Sequence, residues 1–252
     1  MPISPYLNNR QWSKLFNFLK NDPNVQVGSP EKLHIFIEAV FWMLRGGCQW
    51  RLLPRDYGHW NTVFKRFTYW SKKGVWTRLF DYCVEDPDLE YVSIDTTIVR
   101  AHACSAGYRK DSQQEEALGR SRGGFSTKIH AKVDALGNPV KLQLTGGNSS
   151  DIKCASELID GDSYRKILAD KGYDSNDFLI QGLMNDCEMV VPPKKNRKLQ
   201  RNYDEHIYKE RHVVECFFGK IKHFRRVFSR FDKAARSYLS FVCLACAHVW
   251  LR

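Results

Sequence analysis

No run of about 18 consecutive apolar residues occurs anywhere in the chain, so no membrane-spanning helix is expected. The opening stretch, MPISPYLNNRQW, lacks a basic segment followed by an apolar one, and no secretory signal is expected either. No internal repeat is present, so the chain reads as domains and not as an array. Eight cysteines occur, but they are scattered among apolar residues and form no framework. In an unsecreted protein they read as reduced, small core residues. Cys243 and Cys246 form a C-x-x-C with His248 close by, yet no second ligand pair stands at zinc-finger spacing, and burial in an apolar helix is the expectation. Acidic residues are the scarce charge. There are 28 against 39 basic ones, a formal net charge of +11 and a pI near 9.3. That excess favours a polyanionic partner, nucleic acid first and an anionic membrane surface second. Charge alone also fits an ordinary basic soluble protein. A cytoplasmic location is the default.

What is present divides near Asp86-Pro87-Asp88. Residues 1–88 are aromatic and helical in pattern. Trp12, Leu15, Phe16 and Leu19 keep helical spacing. Ser29-Pro30-Glu31 reads as an N-cap, a proline at N1 and an early acid, and Gly46-Gly47 stops the helix that follows. Trp60, Phe64 and Phe67 mark an apolar stripe, and the cations Lys65, Arg66, Lys72 and Lys73 lie off it. This pattern is compatible with a helix-turn-helix-like DNA module and with a packed helical lobe whose cationic face is solvated.

Residues 89–252 change to strands and then to alternating helices and strands. YVSIDTTIVRAH is rich in β-branched residues, and FSTKIHAKVDA and VKLQLTGG flank a short Leu-Gly-Asn-Pro turn. KILAD and CEMVVPP are further strands, and a long helix is expected from about Asp204 to Arg226. The expected fold class is α/β, a mixed sheet flanked by helices and preceded by an N-terminal helical domain. The segment from Ala103 to about Gly124 has no periodicity and carries Arg109, Lys110, Arg120 and Arg122. It reads as a DNA-contacting loop or as plain disorder.

Tyr208, Arg211, Glu215 and Lys222 carry the strongest signal. At about 100° per residue they fall within roughly a 60° arc on one helix face. A carboxylate flanked by two cations and a phenol suits a site that holds a metal ion and a phosphate. Asp95 sits inside a β-branched run, where aspartate is disfavoured, and Asp170 ends another strand-like run. Carboxylates are the hard oxygen donors that Mg²⁺ or Mn²⁺ prefers, and three brought together without a cation would repel. Two cations about 3.5–4 Å apart would turn them into a clamp for in-line phosphoryl transfer. The bland alternatives are a turn role for Asp170 and a helix ion pair between Glu215 and Arg211.

These residues also resemble a known family. Tyr208–Arg211–Glu215–Lys222 matches the Y-(2)-R-(3)-E-(6)-K signature of bacterial insertion-sequence transposases with a DDE site. SIDTTIVRAH and LADKGYDS resemble their first and second aspartate motifs, and LRGGCQWRLLPRDYGHWNTVFKRFTYWSKKGVW resembles the helical domain of the insertion-sequence-five type. The resemblance spans nearly the whole chain. It implies a ribonuclease-H-like catalytic domain over 89–252 and a DNA-end-binding domain over 1–88. It implies two divalent ions, Mg²⁺ or Mn²⁺, held by Asp95, Asp170 and Glu215 as catalytic acids, with Tyr208, Arg211 and Lys222 near the DNA ends. Double-stranded DNA, both transposon ends and target, is the implied partner. The implied state is a homo-oligomer on DNA in the bacterial cytoplasm, associated with the nucleoid. The chain ends just after its last expected helix, as a complete member would. A stand-alone metal-dependent nuclease and a catalytically inactive DNA-binding protein are the competing readings. His102 and His130 are expected to be structural, hydrogen-bonded histidines, and Asp151 a helix cap.

Overall fold

The structure is a computed structural model that describes residues 6–106, 115–160 and 163–252. Its contacts fall into two units. One is drawn from Met1–Cys83, Ala101–Tyr108 and Ile221–Arg252, the other from Val84–Arg100 and Arg109–Lys220. The chain therefore does not cluster as the two consecutive segments 1–88 and 89–252. Residues 221–252, placed with the sheet on sequence grounds, gather with the N-terminal helices. Apolar periodicity marks which face a helix buries, not which distant segment covers it.

The helical unit contains α1 (Asn9–Leu19), α2 (Pro30–Gly46), α3 (Trp60–Lys72), α4 (Val75–Cys83), α9 (Arg225–Phe228) and α10 (Ala235–Trp250). Its ends follow the sequence signals. Asn8 and Gln11 make a capping box at the start of α1. The Ser29 side chain caps α2, Pro30 sits at N1, and Gly47 closes the helix with φ +63°. A Cβ on Gly47 would lie 2.8 Å from that of Arg225, so close approach as well as conformation requires glycine. The core is aromatic: Phe67 stacks on Phe241 at 4.4 Å, and Trp70 and Trp76 lie 5.1 Å apart. Burying each such ring contributes roughly 1.5–3 kcal/mol. Arg226 is buried with them. Its guanidinium donates twice to Asp232, at 3.0 and 2.8 Å, and once to the Cys48 carbonyl at 2.7 Å. Cys243 and Cys246 are buried in α10, where burial pushes the Cys243 thiol up to about 12 and Cys246 well above the usual range. All eight cysteines are free. Among the described residues no helix is long and apolar enough to cross a membrane.

The second unit is built on a mixed sheet. β1 (Tyr91–Ala101) is central, antiparallel to β3 (Gly124–Val133) on one side and parallel to β5 (Lys166–Leu168) on the other. β6 (Glu188–Val190) continues the parallel half. β2 (Gly119–Ser121) and β4 (Pro139–Gly146) pair with successive parts of β3. The helices are α5 (Ile152–Ile159), α6 (Asn176–Met184), α7 (Glu205–Tyr208) and α8 (His212–Lys222). Side chains alternate across a strand. Val92, Ile94, Ile167 and Ala169 enter one core with Ala155 and Ile159 of α5 and Phe178 and Leu179 of α6. Ser93, Asp95 and Leu168 therefore face the other way. This is the ribonuclease-H-like arrangement: an antiparallel half, a parallel half, and helices on the faces.

The long helix expected over 204–226 is interrupted. A 3-10 turn, Lys209–Arg211, separates α7 from α8, and α8 ends at Lys222 before Phe224 starts α9. The loop expected over 103–124 is partly ordered as a 3-10 turn at Ala103–Ser105 and as β2, with Arg120 and Arg122 exposed. Arg109 and Lys110 lie outside the described residues.

Candidate active site

The parallel ladder sets the first two acids side by side. Ser93 pairs with Leu168, and two residues further along each strand stand Asp95 and Asp170. Neighbouring strands lie about 4.7–4.9 Å apart, and both positions fall on the same face. Asp95 pairs across β3 with Ala131, whose small side chain leaves room beside the carboxylate. One Asp95 oxygen accepts from the Thr96 backbone N–H at 2.7 Å. Burial raises the Asp95 pKa, and the charge of Asp170 raises it further; the Thr96 N–H and Arg211 work against both.

Asp170 lies just beyond β5 and caps the 3-10 turn Lys171–Tyr173, accepting from the Gly172 N–H at 2.8 Å. A Cβ on Gly172 would sit 2.8 Å from that same oxygen, so the glycine keeps the carboxylate in place.

Glu215 is delivered by α8, and Arg211 ties it to Asp95. Arg211 Nη1 donates to Asp95 Oδ2 at 2.9 Å, and Nη2 donates to Glu215 Oε1. The 3-10 turn eclipses residues three apart, which brings the Arg211 guanidinium over the Tyr208 ring at 5.9 Å from its centroid. Burial opposes the Arg211 charge, but Asp95, Tyr208 and Glu215 outweigh it and hold its pKa above the usual value. Burial likewise raises the Tyr208 phenol, with Asp170 adding to the effect and Arg211 opposing it. Asp95, Asp170, Glu215, Arg211 and Tyr208 are thus brought into one neighbourhood. Lys222 closes α8 and clusters with the helical unit.

The opposite face of β1 carries a feature the sequence reading missed. Thr96 Oγ1 lies 2.7 Å from His130 Nδ1 and 2.9 Å from the Tyr173 hydroxyl. His130 Nε2 continues the chain to Thr145 Oγ1 at 2.7 Å. His130 and Tyr173 are buried. Burial depresses His130 to about 4 and pushes the Tyr173 phenol far up, so one stays neutral and the other protonated. The available signal is Tyr173 itself, three residues after Asp170 in LADKGYDS, a motif whose sequence reading rests on Asp170 alone. Asp174, next in that run, is also buried and accepts from Arg197 at 2.6 Å and Arg201 at 2.7 Å. Burial works against its charge, but those partners and the Lys194 N–H hold its pKa low.

The remaining predicted positions divide. Lys65 and Lys72 are exposed on α3, and Lys73 is exposed just after it. Arg66 is engaged instead: it donates to the Gln26 carbonyl at 2.9 Å and lies 4.5 Å over Phe36 and 5.1 Å over Trp70. Asp151 stands at the N-cap of α5, yet its carboxylate pairs with Lys128 at 2.8 Å and not with the helix backbone.

Among the described residues no group of three or more His, Cys, Asp or Glu side chains stands close enough to hold a metal ion. Asp95 and Glu215 are instead joined through the guanidinium of Arg211. The donor chemistry nevertheless suits a hard divalent ion, because Asp95, Asp170 and Glu215 supply carboxylate oxygens and one guanidinium, that of Arg211, already draws Asp95 and Glu215 to a shared charge.

Fold and site together define a ribonuclease-H-like α/β protein with an acidic centre. A family model for the transposase DDE domain matches residues 86–250, and one for a transposase of the IS4/5 family matches residues 7–80. The chain belongs to the insertion-sequence transposases that carry a DDE domain. It is 38% identical over 132 residues to a Brucella ovis protein assigned as transposase for insertion sequence element IS6501, covering 51% of this chain and 100% of that one. It is 30% identical over 139 residues to the Burkholderia cepacia counterpart for IS402, covering 50% of this chain and 63% of that one. The fold is also similar to that of piggyBac transposase, solved as a synaptic complex with hairpin DNA. The TM-score is 0.50 at 11% identity, over 97% of this chain and 65% of that one. The family carries nucleotidyl-transferase-type activity.

Proposed function

We propose that the protein is a DNA transposase that binds terminal inverted repeats and catalyses metal-dependent DNA cleavage and strand transfer. The observation that carries this reading is the meeting of Asp95 and Asp170 at the shared end of a parallel ladder, with Glu215 joined to Asp95 through Arg211. Asp95, Asp170 and Glu215 would hold two divalent ions, Mg²⁺ or Mn²⁺. Such ions supply charge neutralisation for both the attacking and the leaving oxygen of an in-line phosphoryl transfer.

The chain's own groups do the rest. The Thr96 N–H and the Gly172 N–H each hold one carboxylate oxygen before substrate arrives, which is the positioning that phosphoryl transfer needs. Arg211, whose terminal nitrogens are engaged by Asp95 and Glu215 in the structure, would grip a phosphate through the two bonds of its planar fork once those carboxylates are turned to the divalent ions. Tyr208 supports that fork from below. Lys222 would add a point charge near the DNA ends. Residues 1–88 would supply end binding through exposed cations such as Lys65, Lys72 and Lys73, whereas Arg66 is held by its own fold. The working complex would be a homo-oligomer on double-stranded DNA, both transposon ends and target, in the bacterial cytoplasm and at the nucleoid.

The test uses full-length protein, DNA bearing the inverted repeats that flank the gene, and Mg²⁺. The wild type should cut at the repeat and join the end to target DNA. Asp95→Asn should lose detectable cutting and joining yet still shift the end DNA in a gel, because affinity comes mainly from Lys and Arg. Normal turnover by Asp95→Asn would sink the reading, and cutting without joining would leave a nuclease.

A further inference from the structure

We propose that Thr96, Tyr173 and His130 are positioning residues: a hydrogen-bonded chain that sets the spacing of Asp170 from Asp95 and so the affinity of the site for divalent ions. This rests on the reading of those aspartates as metal ligands.

The ladder between β1 and β5 ends at Ser93–Leu168. Beyond it, backbone pairing no longer fixes the turn that carries Asp170 against the strand that carries Asp95. The Thr96–Tyr173 bond stands where that pairing stops. Each end of the bond is tied tightly to one acid. Thr96 follows Asp95 directly, and its N–H holds an Asp95 oxygen at 2.7 Å. Tyr173 closes the same 3-10 turn that the Asp170 carboxylate caps. A shift of Tyr173 along β1 would therefore carry Asp170 with it.

One arrangement of protons gives every group in the chain a partner. Tyr173 is buried and protonated, and its hydroxyl hydrogen needs an acceptor, which Thr96 Oγ1 supplies. Thr96 then donates to His130 Nδ1, which leaves the hydrogen on Nε2 to reach Thr145. Every bond in the chain has one donor, and the order reads from the second aspartate motif through the first to β4. Burial alone does not call for such a chain, since an apolar set of the same shape can be nearly neutral for stability. Groups that orient ligands from behind typically cost about 10–100-fold in metal affinity or activity when removed.

The experiment measures Mn²⁺ binding to the full chain by electron paramagnetic resonance, with thermal unfolding of the metal-free protein alongside. Tyr173→Phe keeps the ring and removes one bond, Thr96→Val removes the hydroxyl, and Thr96→Ser restores it. Tyr173→Phe and Thr96→Val should each weaken Mn²⁺ binding about tenfold. The double variant should be no weaker than the worse single one, and Thr96→Ser should bind nearly as the wild type does. If Thr96→Val fails to fold, Tyr173→Phe decides alone. Wild-type Mn²⁺ affinity in Tyr173→Phe, when Asp95→Asn has lost it, would overturn the positioning role. So would a loss of binding that only tracks a loss of folded protein. If Asp95→Asn itself binds Mn²⁺ as the wild type does, the metal reading fails and this inference with it.

Discussion

Asp95 and Thr96 are chain neighbours that look into opposite environments, and the contrast explains how one strand can serve two purposes. On the Asp95 face the groups are charged: two aspartates, a glutamate and Arg211. That face stays partly open, with the Asp95 side chain 22% and the Glu215 side chain 58% exposed. On the Thr96 face the hydroxyl's own hydrogen-bond partners are neutral and buried, with His130 at 0% and Tyr173 at 1% exposure. A buried carboxylate without a counter-charge is costly, whereas a satisfied hydroxyl–imidazole chain is not. The period of two lets β1 carry a charged, partly open side and a buried hydrogen-bonded side.

The largest expected effect that tests this contrast lies on the charged face. Arg211 uses its two terminal nitrogens for two different carboxylates, a planar spacing that an ammonium, with all its donors on one nitrogen, does not reproduce. A charge-assisted hydrogen bond is worth about 1.5–3 kcal/mol, so Arg211→Lys should slow strand joining roughly ten- to a hundredfold at saturating DNA and Mg²⁺. A wild-type joining rate would reduce Arg211 to an ordinary helix partner of Glu215, worth about 0.2–0.5 kcal/mol.

The two faces should also answer acid with opposite sign. His130 is held neutral down to about 4, but the unfolded chain takes up a proton near 6.5. Between those values the unfolded state binds more protons, so stability falls as pH falls, by on the order of 3 kcal/mol for one such group. His248, also depressed to about 4 by burial, adds to the loss in the same window. Asp95 works the other way. Its folded pKa is raised, so between the unfolded value and the raised one the folded state holds the proton, and acid stabilises it there. Urea unfolding of metal-free protein from pH 7.5 to 4 should show a shallower acid loss for His130→Gln and a steeper one for Asp95→Asn. Equal slopes in both variants would dissolve the distinction between the faces.

Smallest is the effect expected of Gly172→Ala. The added Cβ would press on the Asp170 carboxylate and not on the backbone. Mn²⁺ binding should weaken a few-fold with the unfolding midpoint almost unchanged. A large loss of stability instead would show that the turn, and not the carboxylate, takes up the strain.

The sequence made the charged face visible and left the neutral one dark, for physical reasons. An aspartate inside a β-branched run is anomalous, and Tyr208, Arg211 and Glu215 fall on one helical stripe, so each draws notice. A threonine in a strand is commonplace, and Thr96 gives no local sign that its hydroxyl is spoken for twice. The sequence reads His130 as a hydrogen-bonded structural histidine, which its partners match, but those partners lie 34 and 15 residues away. The helix bearing Glu215 was legible, whereas the 3-10 turn at Lys209–Arg211 was not, because its residues suit either helix. Most of the sheet could be drawn from alternation and turns. The return of residues 221–252 to the N-terminal helices could not.

That return bears on how the protein is made. Phe67 leaves the ribosome far ahead of Phe241, the ring it stacks on. At about 5–20 residues per second the wait is on the order of 10–30 s. During synthesis the first helices must therefore persist with an open aromatic core, exposed to chaperones and proteases. A chain cut short by a frameshift or premature stop never closes that core, so it stays open to removal by proteases.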